Sequence, residues 1–524
     1  MANKNKVKQL TEEQLKKVKK IYENKSIGFD ERIKKVGNFL GLKSERYIRR
    51  VIKGNGLDLK VKVEESEDFK IAKKRKINKS NNIIMVTWGQ NNTAPHTKFF
   101  ENLEAYANYH NAELLVIAGK YLYSDTKNIY WDSKLKPYLD ANSHAIHKHL
   151  TIESGVPISA TATNPLSGLT GFAGNNSTIF GHPKVQLETV PVLENERPKT
   201  MITTGACTIE NYSDTKSGAK SKFHHQLGFA IIEIKDKETY FLRQVTALEN
   251  GSFTDLCYNV KDKKINKINE IEACIMGDLH LGQHEQGVLD QTHYMLSQLK
   301  PKHVVLHDVF DGKSISHHEM KDPFIQYAKE VNGTNDLKEE IDEMLEHLKP
   351  FTKYKNVAVV KSNHDEVVDK WLKNEDWKKQ PTMKNSLEYM EYSTMLLKQY
   401  AKGDPKGVIP ELIERKYPKF KTLDRRKGYK IKGFECGYHG DVANNGARGS
   451  LLGFRKLNTK CVVGHYHAPG RKDGALAVGT TTKLRLSYNI GGSSWAHAHV
   501  IIHKDGKAQH VFFDPETYEF TTFM

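Results

Sequence analysis

No apolar run in this 524-residue chain approaches the roughly 20 residues that a membrane helix needs, and the first residues, MANKNKVKQLTEEQ, carry no signal-peptide apolar core. We therefore expect a soluble, cytoplasmic protein with no membrane partner. Cysteine is scarce as well. Cys207, Cys257, Cys274, Cys436 and Cys461 are odd in number, widely spaced and form no C-x-x-C pair. That argues against a disulfide framework or a structural zinc, and for reduced thiols acting as small apolar side chains. The stretch richest in small and turn-forming residues, ATATNPLSGLTGFAGNNSTIFGHP at 160 to 183, fits none of the phosphate-binding glycine patterns and reads as loops. The apolar fraction, 38%, is low but enough to fold, which excludes wholesale disorder. The length is too great for one core, so several domains are expected.

Charge is plentiful and unevenly placed. Residues 1 to 80 hold 24 Lys and Arg against 11 Asp and Glu, so most of the formal charge of +17 resides there. A cationic segment concentrates polyanions, with nucleic acid the commonest target, although a solvated basic tail is the plain alternative. Within it, Thr11 and Gln14 form a capping-box pattern ahead of a stripe of Leu15, Val18 and Ile21 or Tyr22. A second helix over 30–40 should bury Ile33, Val36 and Leu40, and a third, from Ser44 to about Lys53, should bury Ile48 and Val51. Helix, glycine turn, then a helix bearing Arg46, Arg49 and Arg50 resembles a helix-turn-helix DNA reader, with one extra residue in the turn. A helical interaction module is the competing reading. We place this unit at 1–62 and a charged linker, with its KKRK run, at 63–80.

Residues 81–270 read as a middle α/β domain without an assignable role. NIIMVTWG, TKFFENLEAYANYHN and AELLVIAGKYL suggest strand, helix and strand, and GFAIIEIKDKETYFLRQVTAL two strands about a turn at Lys235 to Lys237. His224 and His225 read as surface residues.

From Ile271 onward, short apolar runs repeatedly end in Asp, Asn or His: IEACIMGDLHLG, HVVLHDVFDG, NVAVVKSNHD, FECGYHGD and CVVGHYH. Buried strands read as such runs, and in an open α/β sheet a ligand site lies beyond the carboxyl ends of the strands. Five runs with polar residues at the same end therefore predict one site over 271–524. Carboxylate, amide and imidazole are also the ligand types that pairs of divalent cations need. Alone, each motif has a plain alternative as a cap or a hydrogen-bonded loop.

In order, GDLH, HDVFD, SNHD, YHGD and GHYH resemble the signature of calcineurin-like metallophosphoesterases. Two departures are His307 and Ser362, which stand where that family has glycines. The resemblance implies an α/β fold with a metallophosphoesterase β-sandwich flanked by helices. It implies two divalent metal ions, Mn2+ foremost, with Mg2+, Fe or Zn as alternatives. Asp278, His280 and His467 would ligate one, Asn363, His439 and His465 the other, and Asp308 would bridge. His364 would be the proton donor, oriented by Asp311. Fold and metal site are shared by phosphatases, phosphodiesterases and nucleases. The hydrophobic spacing of HDVFDG is similar to the SbcD-type repair nucleases, and the chain as a whole resembles the pre-early, host-genome-degrading DNases of large siphophages. With the basic N-terminus, these likenesses favour a metal-dependent DNase acting on DNA, set in an infected bacterial cytoplasm and capable of self-association as a homo-oligomer. A phosphatase or phosphodiesterase for protein or small substrates is the second reading. A DNA-binding regulator with an inactive esterase scaffold is the third.

Overall fold

The computed structural model describes residues 7–22, 24, 29–57, 66–78, 81–121, 129–379 and 383–524. It divides into two compact units, residues 1–65 and 66–524. Part of the linker expected at 63–80 lies outside the described residues, but the basic run at 73 to 76 follows a short helix, Glu67–Ala72, inside the second unit.

The described residues of the first unit form three helices, Glu12–Tyr22, Phe29–Leu40 and Glu45–Gly54. Thr11 and Gln14 make the reciprocal cap, each backbone N–H donating to the other's side-chain oxygen at 3.2 and 3.3 Å. Apolar residues at helical spacing meet in a common core of Val18, Tyr22, Ile33, Val36, Leu40, Ile48, Val51 and Ile52. Leu15 and Ile21 stay only half-buried. On the third helix Arg46 and Arg50 are exposed, whereas Arg49 is ion-paired with Glu45 one turn back.

The second unit is mixed α/β and contains several sheets. A five-stranded sheet is built around Ile83–Gln90 and Glu113–Gly119, parallel strands joined by the helix Thr97–Tyr109. Gly228–Ile234 and Tyr240–Thr246 add the antiparallel pair, their turn closed by Asp236 Oδ1, which accepts from the backbone of Glu238 and Thr239.

In a six-stranded sheet four strands run parallel as neighbours: Ala273–Ile275, His303–His307, Asn356–Val360 and Lys421–Leu423. Ala498–Ile502 and Ala508–Phe512 extend it antiparallel. Alternation decides what each face does. Ala273, Ile275, Val305, Ala358 and Val360 pack against Phe434, Val462 and Leu476 of a second sheet. Cys274, Val304, Leu306, Val357 and Val359 face a core that includes the helical residues Leu289, Met295, Leu296 and Leu348. The layers are thus helices, sheet and sheet.

The second sheet has ten strands and runs through the chain position, residue 270, where the sequence suggests a domain boundary. Phe434–Glu435, Lys460–Val463, Ala475–Ala477 and Gly470–Lys472 are joined edge-on to Gln186–Val190 by the pairs Arg471 with Leu187 and Lys472 with Gln186. Residues 81–270 and 271–524 therefore share a sheet. Ser177–Phe180, inside the stretch expected to be loops, is one of its buried strands, because four strand-forming residues are enough when both edges are paired. All five cysteines are buried and free.

Candidate metal centre

The three adjacent parallel strands of the six-stranded sheet end in Asp278, Asp308 and Asn363, and two neighbouring strands of the facing sheet lead to His439 and to His465 and His467. The turns bend sharply. His280, Asp308, His465 and His467 all have positive φ, at 39°, 45°, 77° and 54°. Non-glycine residues held in the left-handed region cost of order 1–3 kcal/mol each and cluster at functional sites. Gly464 is required by contact: a Cβ there would collide with the Asp278 carboxylate and press on His307.

His280 Nε2 lies 3.2 Å from His467 Nε2 and 3.3 Å from Asp308 Oδ2. His439 Nε2 is 3.1 Å from Asp308 Oδ2, and His467 Nε2 is 3.3 Å from Asp278 Oδ2. Among the described residues three groups have ligand atoms close enough to share an ion: His280 with Asp308 and His467, Asp278 with His307 and His439, and His280 with Asp311 and His364. These contacts cut across the expected division of Asp278, His280 and His467 from Asn363, His439 and His465, because Asp308 meets a histidine of each set, His280 and His439. His465 stacks edge-on to His439 at 5.3 Å between ring centres, and Asn363 lines one cavity of about 610 Å³ with His439.

The donor set fits cations. Asp278 Oδ1 and Oδ2, Asp308 Oδ1, Asn363 Oδ1, His307 Nε2, His439 Nε2 and His467 Nδ1 are buried without hydrogen-bond partners. Buried polar atoms are otherwise almost always paired, so so many convergent lone pairs call for positive charge. The titration pattern agrees. Burial, with Asp308 nearby, pushes the Asp278 carboxyl up to about 7. Burial also pushes His439 down, but Asp308 and then Asp278 outweigh it and hold the imidazole at about 9. His280 is raised by Asp308 and Asp311 against the same burial. In His467 burial wins and the imidazole falls well below its ordinary range.

Asp311 does not orient His364 through its carboxylate. Its Oδ1 accepts from His280 Nδ1 at 2.8 Å, while His364 Nδ1 is 3.9 Å from that oxygen and instead donates to the Asp311 backbone carbonyl at 2.7 Å. One residue therefore fixes two imidazoles by two different groups. Burial lowers His364.

Several participants escape the sequence reading. His307, seen only as a departure, faces His439 with 3.5 Å between Nδ1 atoms, and burial pushes it down to about 3. Ser362 closes the loop carrying Asn363 and His364 through paired 3.0 Å hydrogen bonds with Asp365. Trp495 covers His467 at 4.1 Å between rings, and its signal was a lone tryptophan after a Gly-Gly-Ser-Ser turn. Arg425, which the sequence offers with Arg426 and Lys427 as a basic cluster for phosphate contact, instead bridges Glu366 and Asp441 at 3.1 and 2.5 Å. His317, His318 and Arg448 are exposed and not among these contacts. Of the aromatic residues between SNHD and YHGD, Trp371 and Tyr392 are buried in the core.

Sheets, strained turns and orphaned donors define a mixed α/β protein with buried His and Asp groups that can hold a metal ion. Among the described residues no helix is long and apolar enough to cross a membrane. No family model matches the chain, and no solved structure does. The chain is similar to Protein A1 of Escherichia phage T5, 28% identical over 460 residues that cover 81% of this chain and 80% of that protein.

Proposed function

We propose that this protein is a metal-dependent deoxyribonuclease of the calcineurin-like metallophosphoesterase type, encoded by a phage and acting on DNA in the infected cell. The observation that carries the reading is the convergence of Asp278, His280, Asp308, His439 and His467 at the ends of strands from two sheets, with buried atoms of Asp278, Asp308, His439 and His467 left without hydrogen-bond partners. Asn363 and His465 complete the ligand set, as the order of the motifs implies. Two divalent cations bound there supply charge stabilisation to a phosphoryl group under attack. The chain's own work is to hold them and to handle the proton. His364, its Nδ1 pinned by the Asp311 carbonyl, keeps Nε2 for delivering a proton to the leaving oxygen. Asp311 in turn fixes the ring of His280. Similarity to a phage protein over four fifths of the chain supports the setting, and the basic first unit supports a polyanionic substrate.

Incubating the full-length protein with circular and linear DNA and Mn2+ tests this. Both should be cut or the linear form degraded, activity should vanish with chelator, and Asp308→Ala should abolish it while leaving the circular dichroism spectrum unchanged. Turnover of a generic aryl phosphodiester with DNA untouched would replace the substrate assignment. DNA binding without hydrolysis of either, insensitive to Asp308→Ala, would remove the enzymatic reading.

A further inference from the structure

The strand Lys460–Val463 leads at one end into His465 and His467. At its other end, roughly 15 Å of extended chain away, lies a separate cavity of about 240 Å³ whose wall includes Lys460, Arg471, Lys507 and Phe434. Among the described residues none of these three cations forms an ion pair, and Arg471 Nε is buried with no hydrogen-bond partner. The carboxylate in the wall, Asp473, is already occupied, by Lys184 at 2.7 Å, His224 at 3.3 Å and Arg455 at 3.6 Å. Nearby Asp505 accepts from the Thr254 hydroxyl and the Lys507 backbone. Burial pushes the Arg471 guanidinium down to about 10. Lys507 is pushed down to about 8, by burial first and then by Arg471 and Lys460, which outweigh the opposing pull of Asp505 and Glu249.

Uncompensated cations gathered at one cavity destabilise the fold unless an anion joins them. The planar guanidinium fork and two ammonium groups suit a phosphate, whose two charges they can offset, better than a carboxylate. Phe223, 85% exposed at the rim, offers apolar surface for a base or sugar. The cavity is too small for a duplex.

We infer that this cavity is a second site, remote from the metal centre, that binds the phosphate group of a small ligand, either inorganic phosphate or a mononucleotide. It stands whether or not the metal centre hydrolyses DNA. The test uses the full-length protein in excess chelator, titrated with inorganic phosphate and with deoxyadenosine monophosphate, followed by thermal melting and calorimetry. Phosphate should raise the melting temperature of the unaltered protein. Arg471→Gln should melt higher than the unaltered protein without phosphate, having lost an unpaired buried charge, and bind phosphate about tenfold or more weakly. Lys507→Gln should weaken binding while keeping the fold, and it carries the test if Arg471→Gln does not fold. A nucleotide held at least about tenfold tighter than phosphate identifies nucleotide as the occupant, and equal affinity identifies phosphate itself. No melting shift with either ligand at about 10 mM, or binding unchanged in both variants, overturns the inference.

Discussion

Asp311 holds His280 with its carboxylate and His364 with its carbonyl, and the two roles can be separated because a side-chain change removes only the first. Asp311→Asn should lower apparent metal affinity by about 10- to 100-fold, the usual effect of losing a carboxylate behind a ligating histidine. Mn2+ titration of activity, with calorimetry of metal binding, checks it. An activity loss at saturating Mn2+ with unchanged metal affinity would return Asp311 to its expected partner, His364. At this scale the sequence was legible where chemistry follows spacing: Asp278 and His280 are two residues apart at a strand end, and so are His465 and His467. It was silent where contacts join distant chain segments. Nothing in HDVFDG says which histidine Asp311 will meet, and nothing about His307 as a missing glycine says that it will lie beside His439.

Among the elements, the third helix of the first unit presents Arg46 and Arg50 to solvent while Arg49 is engaged by Glu45. If this helix contacts DNA phosphates, Arg46→Ala and Arg50→Ala should each weaken binding across sequences and lower the slope of log affinity against log salt by about one. Fluorescence anisotropy with duplex DNA at several salt concentrations reads both. Slopes unchanged in the double variant would leave the helix an interaction module. These helices were legible because amphipathic spacing and the Thr11 cap are local signals. Strands leading to the candidate metal centre were legible for the same reason, each an apolar run with a polar end. Ser177–Phe180 was not, because it is only four residues long and its neighbours in the chain are turn formers.

Over the whole second unit, no cut near residue 270 would separate two folds. Besides the shared ten-stranded sheet, Arg243 is fully buried against Asp255, at 3.0 and 3.1 Å, and against Glu233. Gln509 donates to Asp255 at 2.7 Å, and Thr521 and Thr522 donate to Glu233. Burial pushes the Asp255 carboxyl up, but the Arg243 guanidinium, with Gln509 and Tyr106, holds it below the usual carboxylate range. A lowered carboxylate contributes stability that is present above its unfolded value, about 3.9, and is lost as pH falls through the folded value. Denaturant midpoints should therefore fall as pH drops below about 4. Asp255→Asn should remove that part of the acid dependence and cost about 3–5 kcal/mol at neutral pH, as breaking a buried pair does. A midpoint within about 0.5 kcal/mol of the unaltered protein would show that Glu233 alone suffices for Arg243. The boundary at 270 was drawn where the runs ending in Asp, Asn or His begin, and the pairing of Arg471 with Leu187 and Lys472 with Gln186 across it joins segments too far apart in the chain for a local signal.

Vectorial synthesis meets this cluster in a fixed order. Glu233, Arg243 and Asp255 are polymerised early, and the donors that finish their hydrogen bonding, Gln509, Thr521 and Thr522, arrive more than 250 residues later. The hydrogen bonding of this cluster is therefore complete only once residues 509 to 522 have left the ribosome.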